Sequence, residues 1–240
     1  MATKHNVWMA VSDLMTGLMV IFLFVAIAYM IQVNKNQTVL TDYVETKNHL
    51  HDKLVNEFKG DTARWHMAVG KDLSMKFNNP EVLFASGSYQ LTPTFCDILN
   101  EFIPRYLAIL LKDSLSNKIQ EIRIEGHTDD MRMVAFGQDP FMSNVKLSQL
   151  RSYSVLEYIR NMPSYAQYSE EEQNKLNFWF TANGLSFGKA VDKNGEYVAI
   201  SGNPIDKNKS RRVEFRIVTA GEDVLENFVK KNSELNQIIP

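Results

Sequence analysis

Ile119-Gln120-Glu121-Ile122-Arg123-Ile124-Glu125-Gly126-His127-Thr128-Asp129-Asp130 decides the fold of the larger part of this chain. Isoleucines alternate with charged residues, the period of a half-buried β-strand. The pattern breaks at a glycine followed by short polar residues that favour turns. Upstream, Thr92-Pro93 opens a helix, with Thr as N-cap and Pro in its first turn. Phe95, Ile98, Leu99, Phe102, Ile103, Tyr106, Ile109 and Leu110 follow at helical spacing. Further upstream, Pro80-Glu81-Val82-Leu83-Phe84 reads as a short strand and Ala85-Ser86-Gly87-Ser88 as the turn after it. Downstream, Asn144 to Arg160 reads as a helix with Leu147, Leu150, Val155, Leu156 and Ile159 as its apolar stripe. Asn177 to Ala182 and Arg212 to Val218 read as two more strands, and Glu222 to Asn236 as a final polar helix. The order β-α-β-α-β-β predicts an α+β domain with helices packed on one sheet face.

The other informative stretch is Val7 to Val33, the one long apolar run of the chain. Leu14 to Met30 carries no charge, and with its flanks the run exceeds the roughly 20 residues that cross a bilayer core. A cleaved signal peptide is the rival reading, with Lys4 as the basic leader and Ala26-Ile27-Ala28 as the cleavage site. Against it stand Asp13 inside the apolar region and the apolar residues Tyr29, Met30, Ile31 and Val33 beyond the cleavage point. Trp8 and Tyr29 lie where interfacial aromatic rings belong. Lys4 and His5 lie before the helix, and after it Lys35 is soon balanced by Asp42 and Glu45, a small asymmetry that favours a cytoplasmic N-terminus.

An Asp within a membrane helix costs roughly 2.5 to 3.5 kcal/mol on insertion scales, so Asp13 calls for a role. Steps of three and four from it reach Thr16, Gly17 and Val20, leaving small and polar residues where another helix can approach. Asp13 is therefore either assembly glue, bonded to a partner helix, or a carboxylate that takes up and releases a proton. Asn34 to Leu73 is polar, with Val39, Leu40, Tyr43, Val44, Leu50, Leu54, Val55 and Phe58 at roughly helical spacing. Such a helix either pairs with a copy of itself or packs on its own domain.

A formal net charge of -2 supplies no basic field for nucleic acid. The single cysteine, Cys96, leaves no intramolecular disulfide and reads as a buried thiol. His49 and His51 are two apart, poor spacing for metal ligands on a helix, and no metal site is expected. His127 near Asp129 could act as an acid–base pair, but no nucleophile motif accompanies it, so the chain is not read as an enzyme.

Three segments resemble the OmpA-like peptidoglycan-binding domain: Val82 to Ser88, Ile124-x-Gly126-His127-Thr128-Asp129, and Asn144-x-x-Leu147-Ser148-x-x-Arg151. Arg211-Arg212-Val213-Glu214 resembles that family's closing strand, with Ser210 where Asn is usual. The resemblance implies that Asp129 and Arg151 bind the diaminopimelate side chain of the cell-wall stem peptide, with Asn144 and Leu147 lining the pocket. The chemistry is consistent. A guanidinium holds a carboxylate through two parallel bonds, and a carboxylate accepts from an ammonium. Without the resemblance, an internal Asp–Arg salt bridge is the preferred explanation of the pair.

Ala10 to Met19 resembles the membrane helix of MotB-type stator subunits, which carry an Asp-x-Met-Thr-x-x-Met pattern. The very short leader makes the chain most similar to the MotB-like subunits of Zorya anti-phage defence systems. The implied organisation is a cytoplasmic leader (1–6), a transmembrane helix (7–33), a helical linker and dimerisation segment (34–74), an OmpA-like domain (75–220) and a C-terminal helical tail (221–240). It also implies a homodimer inside a ring of a MotA-like (ZorA-like) membrane subunit, held in the bacterial inner membrane with the C-terminal domain periplasmic. Asp13, with Thr16 beside it, would carry the coupling ion. H⁺ is favoured over Na⁺ because one carboxylate and the hydroxyls of Ser12 and Thr16 make a sparse hard-cation site. No other cofactor is implied. A flagellar-type stator subunit and a passive tether from inner membrane to wall are the alternatives.

Overall fold

The computed structural model describes residues 3–85, 87–132, 136, 139–222 and 225. It divides into two compact units, one carrying the chain up to Val44 and one spanning Glu45–Ala220. Helix α1 runs over Thr3–Phe58. It is long and apolar enough to cross a membrane, with a mean hydropathy of 2.5 in its apolar window. Its side chains from Trp8 to Ile31 are exposed.

In the second unit, β1 (Met67–Val69) and β2 (Ser74–Phe77) are followed by helices α2 (Pro80–Leu83), α3 (Pro93–Leu110) and α4 (Asp113–Ser116). Strand β3 (Ile119–Gly126) leads to α5 (Pro140–Arg160), a 3₁₀ turn at Tyr165–Gln167, α6 (Glu170–Trp179) and β4 (Phe180–Gly184). Two one-turn helices, α7 (Val198–Ser201) and α8 (Lys207–Ser210), precede β5 (Val213–Thr219). The five strands lie in the order β1-β2-β5-β3-β4, antiparallel except for β3 with β4.

Period-two alternation settles which face is buried. Ile122 opposes Ile217, Ile124 opposes Phe215 and Gly126 opposes Val213 across β3 and β5, and the side chains of Ile122, Ile124, Val213, Phe215 and Ile217 enter the core. Phe95, Phe102 and Tyr106 of α3 pack on Phe77 and Phe215, with Phe102 and Phe215 ring centroids 5.2 Å apart. Val155 and Ile159 of α5 complete that layer. The core also takes Leu50, Leu54 and Phe58, the last turns of α1, each 0% exposed. Phe58 lies 5.1 Å from Phe102, and Arg105 of α3 donates to Glu57 Oε1 at 2.7 Å. These turns therefore pack on their own domain, and the compact unit begins at Glu45, inside the segment 34–74 read as linker.

The expected α+β class is observed, with local differences. Pro80–Leu83 is one turn of helix rather than a strand, because Pro at its start and Glu81 in its first turn both suit a helix N-terminus. Phe84 alone pairs, in an isolated bridge with Leu91. Residues 177–179 end α6, which Ser169 and Glu172 start as a reciprocal capping box, so β4 begins at Phe180. Helix α5 starts four residues before Asn144, at Pro140, because Asp139 caps it by accepting from Phe141 N and Met142 N. The short strands β1 and β2 were not expected. The final helix read over 222–236 lies, apart from Glu222 and Leu225, outside the described residues.

Candidate functional site

The end of β3 and the first half of α5 form the site. Beyond Gly126, His127 N donates to Arg212 O at 3.0 Å and Thr128 N to Ser186 O at 2.9 Å, so the backbone stays pinned up to Asp129. Asp129 Oδ1 accepts from Met131 N at 3.0 Å and turns the chain away from the sheet. Asn144 Nδ2 donates to Met131 O at 2.9 Å and holds the same turn from α5. Asn144, Leu147 and Arg151 fall at i, i+3 and i+7 on one helix face. Gly126 lets that face approach: a Cβ at this position would meet the Ser148 carbonyl oxygen.

A cavity of about 790 Å³ results, lined by Asp129, Asn144, Leu147 and Arg151 together with Glu81, Phe84, Thr128, Met131, Arg132 and Arg211. The four residues singled out for peptidoglycan all line it. Arg151 Nε donates to Ser88 O at 3.0 Å, and the guanidinium lies 4.8 Å over the Phe84 ring. Among the described residues no hydrogen bond is made by its Nη groups, which are the pair a carboxylate would use. Burial and then the charge of Arg211 push Arg151 down to about 10, with Asp129 partly offsetting them. Asp129 Oδ2 is buried, makes no hydrogen bond among the described residues, and lies 3.5 Å from Arg211 Nε. The cavity thus offers a carboxylate oxygen at one point and an underused guanidinium fork at another.

Arg211 was missed as a site residue, although its signal was in the sequence. It is two and four residues before Val213 and Phe215, which face the core, so the strand period carries it towards α5. Arg132 and the stacking ring of Phe84 had no comparable signal. His127 does not line the cavity; its Nε2 faces Glu125 Oε2 at 3.5 Å and Glu214 Oε1 at 3.7 Å. Asp13 and Thr16 lie in the other unit, three residues apart on the exposed surface of α1. Thr16 Oγ1 donates to Ser12 O at 2.8 Å, so its proton is engaged while its oxygen still accepts.

No protein-family model matches the sequence. The chain is 35% identical over 231 residues to the Zorya protein ZorB of Escherichia coli, covering 93% of this chain and 92% of that protein. A MotB-like protein from Desulfovibrio vulgaris is 21% identical with a TM-score of 0.50, over 75% of this chain and 98% of that one, and shares its fold. The cell wall anchor of the T6SS from Pseudomonas aeruginosa is also 21% identical, with a TM-score of 0.45 over 69% of this chain and 96% of that one.

Proposed function

The chain belongs to the family of the Zorya protein ZorB, and on that premise we propose that it is the membrane-anchored stator subunit of an ion-driven rotary complex in anti-phage defence. The observation that carries the reading is that Asp129 and Arg151 line one cavity together with Asn144 and Leu147. Diaminopimelate presents an ammonium and a carboxylate on one side chain. Asp129 Oδ2 accepts from the ammonium and the Arg151 fork takes the carboxylate. The stem peptide then fixes the domain to the wall. Helix α1 crosses the inner membrane once, with its N-terminus in the cytoplasm, as the charges flanking it favour.

An anchored subunit gives a ring something to push against. Two copies of α1 stand inside a ring of MotA-like subunits. Asp13 of each takes a proton from the outside and gives it up towards the cytoplasm. Each proton moving down the potential supplies about 2.3 kcal/mol per 100 mV. The change between charged and neutral carboxylate alters the attraction between helix and ring, and the ring steps.

A passive tether would need the same cavity but no ionisable group at position 13. Asp13→Asn separates the two. It is expected to leave expression and binding to purified sacculi intact while abolishing ion flux and phage protection. A fully protective Asn variant would leave only the tether.

A further inference from the structure

We propose that Glu125, His127 and Glu214 bind a divalent first-row transition ion, zinc being the best match, which ties the end of β3 to the start of β5. Glu125 and Glu214 are cross-strand partners. Like charges directly opposite each other on a sheet are destabilising unless cations offset them, and these two carboxylates are 2% and 3% exposed. His127 is two residues beyond Glu125 and so emerges on the same face.

His127 is 1% exposed, and neither ring nitrogen has a hydrogen-bond partner among the described residues. Its contacts to the two carboxylates are longer than hydrogen bonds, and a buried polar group without a hydrogen-bond partner calls for an explanation such as an ion. Nε2 is aimed at both carboxylates, 3.5 Å from Glu125 Oε2 and 3.7 Å from Glu214 Oε1, and the three donor atoms lie within 4.8 Å of one another. Zinc bonds of about 2.0–2.2 Å in tetrahedral geometry set donor atoms about 3.3–3.5 Å apart. Both His–Glu edges are close to that length, and the third is at most 4.8 Å. One imidazole with two carboxylates suits zinc better than calcium or magnesium, which take six or more oxygens.

The outer contacts fit the same role. Arg212 Nε lies 2.5 Å from Glu214 Oε1, and its Nη groups donate to Ser210 O and Lys189 O at 3.2 Å, which fixes the carboxylate as outer partners of metal ligands do. Lys189 Nζ is 3.4 Å from Glu125 Oε2 with its side chain 35% exposed, so it can swing into solvent when an ion arrives. Lys189 is thus the exchangeable cation and Arg212 the fixed one. No spacing in the sequence announced this set, because Glu214 reaches the other two only through the pairing of β5 with β3.

The test uses the full chain in detergent, stripped with chelator and titrated with zinc chloride by calorimetry, with metal content read by mass spectrometry. One zinc per chain is expected, lost in His127→Ala. Lys189→Met should bind zinc about two- to fivefold more tightly, because a half-exposed ion pair no longer competes. Absence of binding at micromolar zinc, binding undiminished by His127→Ala, or affinity unchanged or weakened by Lys189→Met would each overturn the proposal. If His127→Ala does not fold, the Lys189→Met titration decides alone.

Discussion

Replacing Arg151 by Met should abolish wall binding without lowering stability. Arg151 is held down at about 10, well below the ordinary arginine range, burial being the first cause and Arg211 the second. Keeping that charge in the folded state costs about 3 kcal/mol, at 1.36 kcal/mol per pKa unit. The value is depressed for a basic group, so the penalty is present at every pH below about 10 and is the same at pH 6 and pH 8. Methionine removes it. The substitution gives up the bond to Ser88 O, worth about 1.5 kcal/mol or somewhat more. It also gives up the cation–π contact with Phe84, about 0.5–2 kcal/mol, part of which a sulfur–aromatic contact restores. The balance is about zero to 1 kcal/mol in favour of the variant. For a unit of this size that raises Tm by zero to about 4 °C. If the Asp129–Arg151 pair were instead a structural ion pair, breaking it would cost about 3–5 kcal/mol and lower Tm by at least about 6 °C. Unfolding can be followed through Trp65 and Trp179, both buried in the Glu45–Ala220 unit. Binding is read by co-sedimentation with sacculi, where losing the fork should cost about 2–5 kcal/mol, or at least about 30-fold in affinity. A Tm drop of about 6 °C or more, or binding that survives, would refute this account of the cavity.

Gly126→Ala drives a methyl group into the Ser148 carbonyl; it should cost about 1–3 kcal/mol in thermal unfolding and weaken sacculus binding, since α5 must move away from Asp129. Leu54→Ala removes a 0% exposed side chain of the α1 end and should cost about 2–5 kcal/mol; a loss below about 1 kcal/mol would mean that these turns are not packed on the domain.

Local chemistry made much of this protein legible in the sequence. Thr92 caps α3 as its type and position predict, accepting from Phe95 N at 3.1 Å. The isoleucine alternation yields β3, and the spacing of Asn144, Leu147 and Arg151 already places them on one helix face. Asp13 stands out in an apolar run from the cost of a carboxylate in hydrocarbon. These features depend on neighbours within a turn or two, which a sequence contains. What lay beyond it depends on long-range pairing. The three-residue β1 carries too short a pattern to read alone and exists because β2 pairs with it. Leu50, Leu54 and Phe58 fitted a partner helix as well as their own domain until α3 and the sheet supplied the surface that buries them. Arg211 reaches Asp129, and Glu214 reaches His127, only because β5, distant in sequence, pairs with β3. Periodicity states which face a side chain takes, but only the folded chain determines what stands opposite that face.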